Sequence, residues 1–179
     1  MPLSKIISES VDLSDNFNFT GQLQQNGAGV GGVNTPAFRA YISADQTLTT
    51  ATITKAQFNT EVFDTDNCYD TSTYRFTPNV AGKYFFYTSM MLESLTPTRI
   101  EYAHAFIYKN GSEEQVRTAV YSADNISWQT GGDIGTIVDM NGSSDYVEAF
   151  ARIHVFSGTP KISAGSKNLS IFGAYKIIE

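Results

Sequence analysis

One cysteine, one tryptophan, two histidines and five prolines are all that 179 residues contain of these types. A lone Cys68 rules out a disulfide within the chain and a cysteine-based zinc site. Charge is sparse: 17% of the residues are charged, the net charge is −6, and no run of Lys or Arg interrupts the acidic balance. Such a surface repels polyphosphate, so nucleic acid is not an expected partner. Long apolar runs are also missing. No segment approaches the roughly 20 apolar residues of a membrane helix, and the opening MPLSKIISESVDLSDNF lacks the apolar core of a signal peptide. The expectation is a chain made in a cytoplasm and not inserted in a membrane. Five Asn-x-Ser/Thr triplets, at Asn18, Asn110, Asn125, Asn141 and Asn168, then carry no meaning as glycosylation sites. No amphipathic helical stretch exceeds two turns.

What is present is β-forming. Tyr (10) and Phe (12) supply most of the 13% aromatic content, Thr and Ser are plentiful, and there are 14 glycines. The length suits one large domain with an arm. The break between them lies in NGAGVGGVNTP, Asn26 to Pro36, where four glycines stand among residues with nothing large to bury. Residues 1–35 read as an arm with a flexible or extended linker. The arm's apolar residues, including Ile6, Ile7, Val11, Leu13, Phe17 and Phe19, cannot make a core of their own and suit docking on a larger scaffold.

Residues 36–179 read as strand after strand. The candidates are AFRAYIS, ATITK, QFNTEVF, TYRFTPN, KYFFYTSMML, YAHAFIYKNG, QVRTAVYS, IGTIVDMNG, YVEAFARIHVF and NLSIFGAYKII. Asn110-Gly111 and Asn141-Gly142 are hairpin turn signals. Many short strands at close spacing predict a sandwich or jelly roll. In YVEAFARIHVF, Val147, Ala149, Ala151, Ile153 and Val155 form one face suited to the interior. Tyr146, Glu148, Phe150, Arg152, His154 and Phe156 form the other. YAHAFIYK repeats this, with Tyr102, His104, Phe106 and Tyr108 facing outward, and KYFFY is apolar on both sides. A sheet face so rich in rings calls for cover, either from loops or the arm or from other copies of the chain. Self-association is favoured because several strands share the feature.

The segment Phe58 to Phe86, FNTEVFDTDNCYDTSTYRFTPNVAGKYFF, resembles the hallmark of the complement globular-head (tumour necrosis factor-like) superfamily. Tyr69-Asp70, Phe76-Thr77-Pro78, Val80 and Gly82-Lys83-Tyr84-Phe85-Phe86 fill the motif's places. AFRAY resembles the first strand, FIYKNG the central hairpin and IFGAYKI the closing strand. The resemblance implies an all-β, ten-stranded jelly-roll sandwich that assembles as a homotrimer around aromatic faces. The residues expected there are Tyr84, Phe86, Tyr102, His104, Phe106, Tyr108, Phe150, His154 and Tyr175. SESVDLSDNFNFTGQLQQNG resembles the N-terminal leaders of bacteriophage virion proteins that carry such heads.

Candidate chemistry is thin. An EF-hand starting at Asp64 would need Gly and an acid where Tyr69 and Arg75 stand, so Asp64, Asp66 and Asp70 read as turn aspartates rather than a calcium loop. Asp133, Asp139 and Asp145 are read the same way. No nucleophile motif surrounds any serine, GAGVGG is too irregular for a phosphate loop, and Cys68 has no basic neighbour in sequence. The expectation is a non-enzymatic chain without cofactor or metal. It is a homotrimeric decoration (cement) protein of a bacteriophage virion, made in the host cytoplasm and anchored by its arm to a capsid or tail protein. The alternative is a fibre-tip adhesin that meets a host surface glycan or protein through loops around Asn125–Gly132 and Asn141–Asp145.

Overall fold

The computed structural model describes residues 24–25, 28–29, 34–94, 100–121, 128–165 and 169–177. The arm residues Ile6, Ile7, Val11, Leu13, Phe17 and Phe19 lie outside these. The chain divides into two compact units, at Gly32 and Val33. In the first unit the described residues are a two-rung antiparallel pair, β1 (Gln24–Gln25) with β2 (Ala28–Gly29). Ala28 and Gly29 fall within the stretch expected as a flexible or extended connector.

The described residues of the second unit carry thirteen strands: β3 (Ala37–Tyr41), β4 (Gln46–Thr47), β5 (Thr54–Lys55), β6 (Thr60–Asp64), β7 (Tyr69–Asp70), β8 (Arg75–Phe76), β9 (Gly82–Ser94), β10 (Ile100–Lys109), β11 (Ser112–Tyr121), β12 (Gln129–Met140), β13 (Val147–Val155), β14 (Pro160–Ser163) and β15 (Ile171–Lys176). Each of the ten sequence candidates contains a strand. All ladders are antiparallel, and they form two sheets. The first sheet runs β4-β14-β9-β15-β3-β6, with β12 along the other edge of β9. The second runs β11-β10-β13-β8-β7, with β5 also on β13. The result is an all-β jelly-roll sandwich.

The core lies between the sheets and is aromatic. The Phe38 ring stacks on Tyr69 at 4.4 Å and Phe76 at 4.6 Å and meets Phe172 edge-on at 5.1 Å. These rings come from β3, β7, β8 and β15, so one side chain ties both sheets together. Two tyrosines enter the interior only because their hydroxyls are satisfied: Tyr69 donates to the Phe58 carbonyl at 2.8 Å and Tyr84 to the Val80 carbonyl at 2.7 Å. Burial pushes the Tyr84 phenol up to about 12.

The interior faces of β10 and β13 are as expected: Ala103, Ala105, Ile107, Val147, Ala149, Ala151, Ile153 and Val155 are all buried. The expectation fails on β9. Tyr84 and Phe86, placed by sequence reasoning on the outward face, are both fully buried in the sandwich core. They share parity with Thr88, Met90 and Leu92, also buried, so they cannot meet another copy. In a strand apolar on both sides, the alternating pattern alone does not say which parity points inward.

Replacing Phe38 by Ala removes the ring that three others pack on. The expected cost is about 3–5 kcal/mol, read as a lowered denaturant midpoint with an unchanged slope.

Candidate functional site

Two aspartates of the FDTDNCYD stretch, Asp64 and Asp70, are spent on their own turns. Asp64 accepts the amides of Tyr69 at 2.7 Å and Asp66 at 3.4 Å. Asp70 accepts the hydroxyls of Ser72 at 2.6 Å and Thr73 at 2.7 Å, and its carboxyl is held down at about 2, first by Ser72 and then by Thr73. Asp145 caps the Asn141 amide and pairs with Lys109 at 3.0 Å. A polar groove of about 450 Å³ beside this stretch is lined by Glu61, Asn67, Cys68, Tyr69, Asp70, Thr71 and Thr77. Burial pushes the Cys68 thiol up, which keeps it protonated and unreactive. Among the described residues no group of three His, Cys, Asp or Glu side chains is placed to hold a metal ion.

Two outer sheet faces carry rings, and they differ. On the second sheet the predicted residues form one continuous ribbon. His154 stacks on Tyr102 at 5.0 Å, Tyr102 lies 5.3 Å from His104, and His104 lies 5.9 Å from Phe106. Tyr108 lies 4.4 Å from Phe150. These rings cover one another well enough that Phe106 is only 5% exposed although it points away from the core. Around Glu148 the β13 outer face is covered by charge, while Phe156 at its end stays exposed. Glu148 is buried under Lys55, at 2.5 Å, and Arg75, at 2.7 Å, and the Arg75 guanidinium lies 4.1 Å over the Tyr146 ring. The need for cover read from the sequence is therefore largely met within the protomer.

The first sheet's outer face is different. Ile137, Phe85, Tyr175 and Ala37 stand in one row across β12, β9, β15 and β3. Gly135, Tyr87, Gly173 and Arg39 form the next row. The glycines let the rings lie flat. A Cβ on Gly135 would sit 2.9 Å from the Phe85 ring, and one on Gly173 would sit 2.5 Å from the Tyr87 ring. Phe85 stacks with Tyr87 at 6.3 Å and meets Tyr175 at 5.6 Å. The slab stays open to solvent: Tyr175 is 39% and Ile137 56% exposed. Its rim is polar, with Lys83 paired to Asp139 at 2.6 Å and Ser89 bonded to Asp133 at 2.5 Å. Of the residues predicted for self-association, only Tyr175 lies here. Phe85, Tyr87 and Ile137 were missed, although the double-sided KYFFY pattern contained the signal.

At the end of the sandwich away from residue 37, Trp128 is 52% and Phe156 62% exposed. Gln129 to Gly132, expected as a loop, are instead the first residues of β12, paired to β9.

The C1q domain family model matches residues 37–159. Among solved structures, murine APRIL at pH 5.0 is similar with a TM-score of 0.59 at 10% identity, over 79% of this chain and 98% of that chain. Murine APRIL at pH 8.5 gives 0.55 at 10% identity with the same coverage. No curated protein sequence matches the chain.

The Glu148→Gln variant leaves Lys55 and Arg75 without their shared anion. The expected loss is about 1–3 kcal/mol in equilibrium unfolding, less than for a fully buried pair because both cations reach water.

Proposed function

The chain belongs to the C1q domain family, and from that premise we propose that it is a homotrimeric structural protein of a bacteriophage virion, a decoration protein anchored to a capsid or tail component by its N-terminal arm. The observation that carries self-association is the flat slab of Phe85, Tyr87, Tyr175 and Ile137. An apolar centre with a charged rim is the anatomy of a protein–protein interface. Its flatness suits a rigid partner of the same kind, and the family resemblance supplies the threefold symmetry. C1q-type domains are in general binding or structural modules rather than enzymes, which suits a protein whose carboxylates serve its own turns.

The virion assignment is supported by the leader resemblance of SESVDLSDNFNFTGQLQQNG. Three arms on one trimer add weak contacts through effective concentration. The adhesin reading draws on Trp128 and Phe156, two exposed aromatic side chains at the end of the sandwich away from residue 37. A host glycan or protein would meet the molecule there.

Deleting residues 1–25 is expected to leave a folded trimer that no longer joins particles, scored by co-sedimentation with purified virions; undiminished incorporation would remove the arm as the anchor. Phe85→Asp is expected to give a folded monomer by light scattering, whereas Phe150→Asp on the other sheet is expected to stay trimeric.

A further inference from the structure

Both histidines of the chain lie on the outer face of the second sheet, either side of Tyr102. His104 stands directly opposite Arg152 in the β10–β13 register and opposite Thr118 in β11. The Thr118 hydroxyl lies 3.2 Å from His104 Nδ1. Arg152 makes two hydrogen bonds: Nε donates to the Ala51 carbonyl at 2.9 Å and one Nη to the Tyr102 hydroxyl at 2.9 Å. Ala51 is unusual. It is not a glycine yet has φ of 59°, in the left-handed region that costs an L residue energy. Two bonds clasp it there, the one from Arg152 and its own amide donating to the Ile153 carbonyl at 2.8 Å.

We propose that this cluster is an acid-responsive latch, in which charging His104 weakens the grip of Arg152 on Ala51 and frees the Thr50–Lys55 segment from β13. A protonated His104 places a second cation beside Arg152. The anion that bears on His104 is Glu113 on β11, whereas Glu101 on β10 lies against His154. Burial raises the Tyr108 phenol, so it adds no anion, and from the Thr50–Lys55 side a carbonyl, Ala51 O, faces the cluster. Arg152 can move away from the new charge only by releasing its acceptors, and a strained Ala51 then relaxes.

Burial first, and Arg152 second, hold the His104 imidazole below its ordinary value, with Glu113 opposing. A histidine whose folded value is lowered is bound to a proton more readily when unfolded. Its stabilising contribution is therefore present above the ordinary histidine range and is lost as pH falls through and below it.

The test is the amide-exchange protection factor of Ala51, corrected for intrinsic rates, between about pH 7.5 and about pH 5, where one unit of pKa difference corresponds to about a tenfold change. The unmutated trimer is expected to lose about tenfold protection at Ala51, His104→Gln to show a flat profile, and His154→Gln to keep the fall. A flat profile in the unmutated protein, or a fall that survives in His104→Gln, would overturn the latch; a fall abolished by His154→Gln would overturn the assignment to His104. Imidazole NMR on the unmutated chain checks this independently. His104 must titrate below about 6.5, and titration at or above that value contradicts the proposal.

Discussion

The two-residue period of β9 is the constraint from which the rest follows. Its thirteen residues are apolar on both faces through the KYFFY stretch, and the sandwich can claim only one. The core takes Tyr84, Phe86, Met90 and Leu92, packing the first two against Phe76. What remains, Phe85 and Tyr87, is displayed on the opposite side by geometric necessity. There both stay half-buried, beside the more exposed Tyr175 and Ile137. A strand so central cannot turn its second face away, and the cost of leaving that face wet is one that the proposed association would relieve.

The neighbouring strands are adapted to that display. Gly135 and Gly173 flank Tyr87 in register, and their missing side chains let rings spread over backbone rather than stand up from it. Arg39, next in the row, lies near enough to the Tyr87 hydroxyl to favour its anion, although burial dominates and pushes that phenol up. The second sheet solves the same problem differently. Its rings lie along the strands and shield each other, and Glu148 is bonded to Lys55 and Arg75 on neighbouring strands.

Much of this was legible in the sequence, and the failures have local causes. The interior faces of β10 and β13 could be read because small or branched residues alternate cleanly with large polar or aromatic ones. β9 could not, because Tyr84 and Phe85 are equally apolar. Its parity is decided by Phe38 and Phe76, which arrive from distant strands. β14 escaped notice because Pro160, Lys161 and Ser163 surround a single Ile162. The start of β12 was hidden by Gly131 and Gly132; yet a side chain at 132 would press within 3.1 Å of Leu92. The turn aspartates were legible, since Asp64 and Asp70 bond the backbone as such residues commonly do.

The function proposed here rests on the slab more than on the virion context, since the slab is the surface that association would cover. Sedimentation of the full chain across dilution from micromolar to nanomolar addresses it most directly. The account predicts one boundary with the mass of three chains throughout. A folded single chain at every concentration would contradict it.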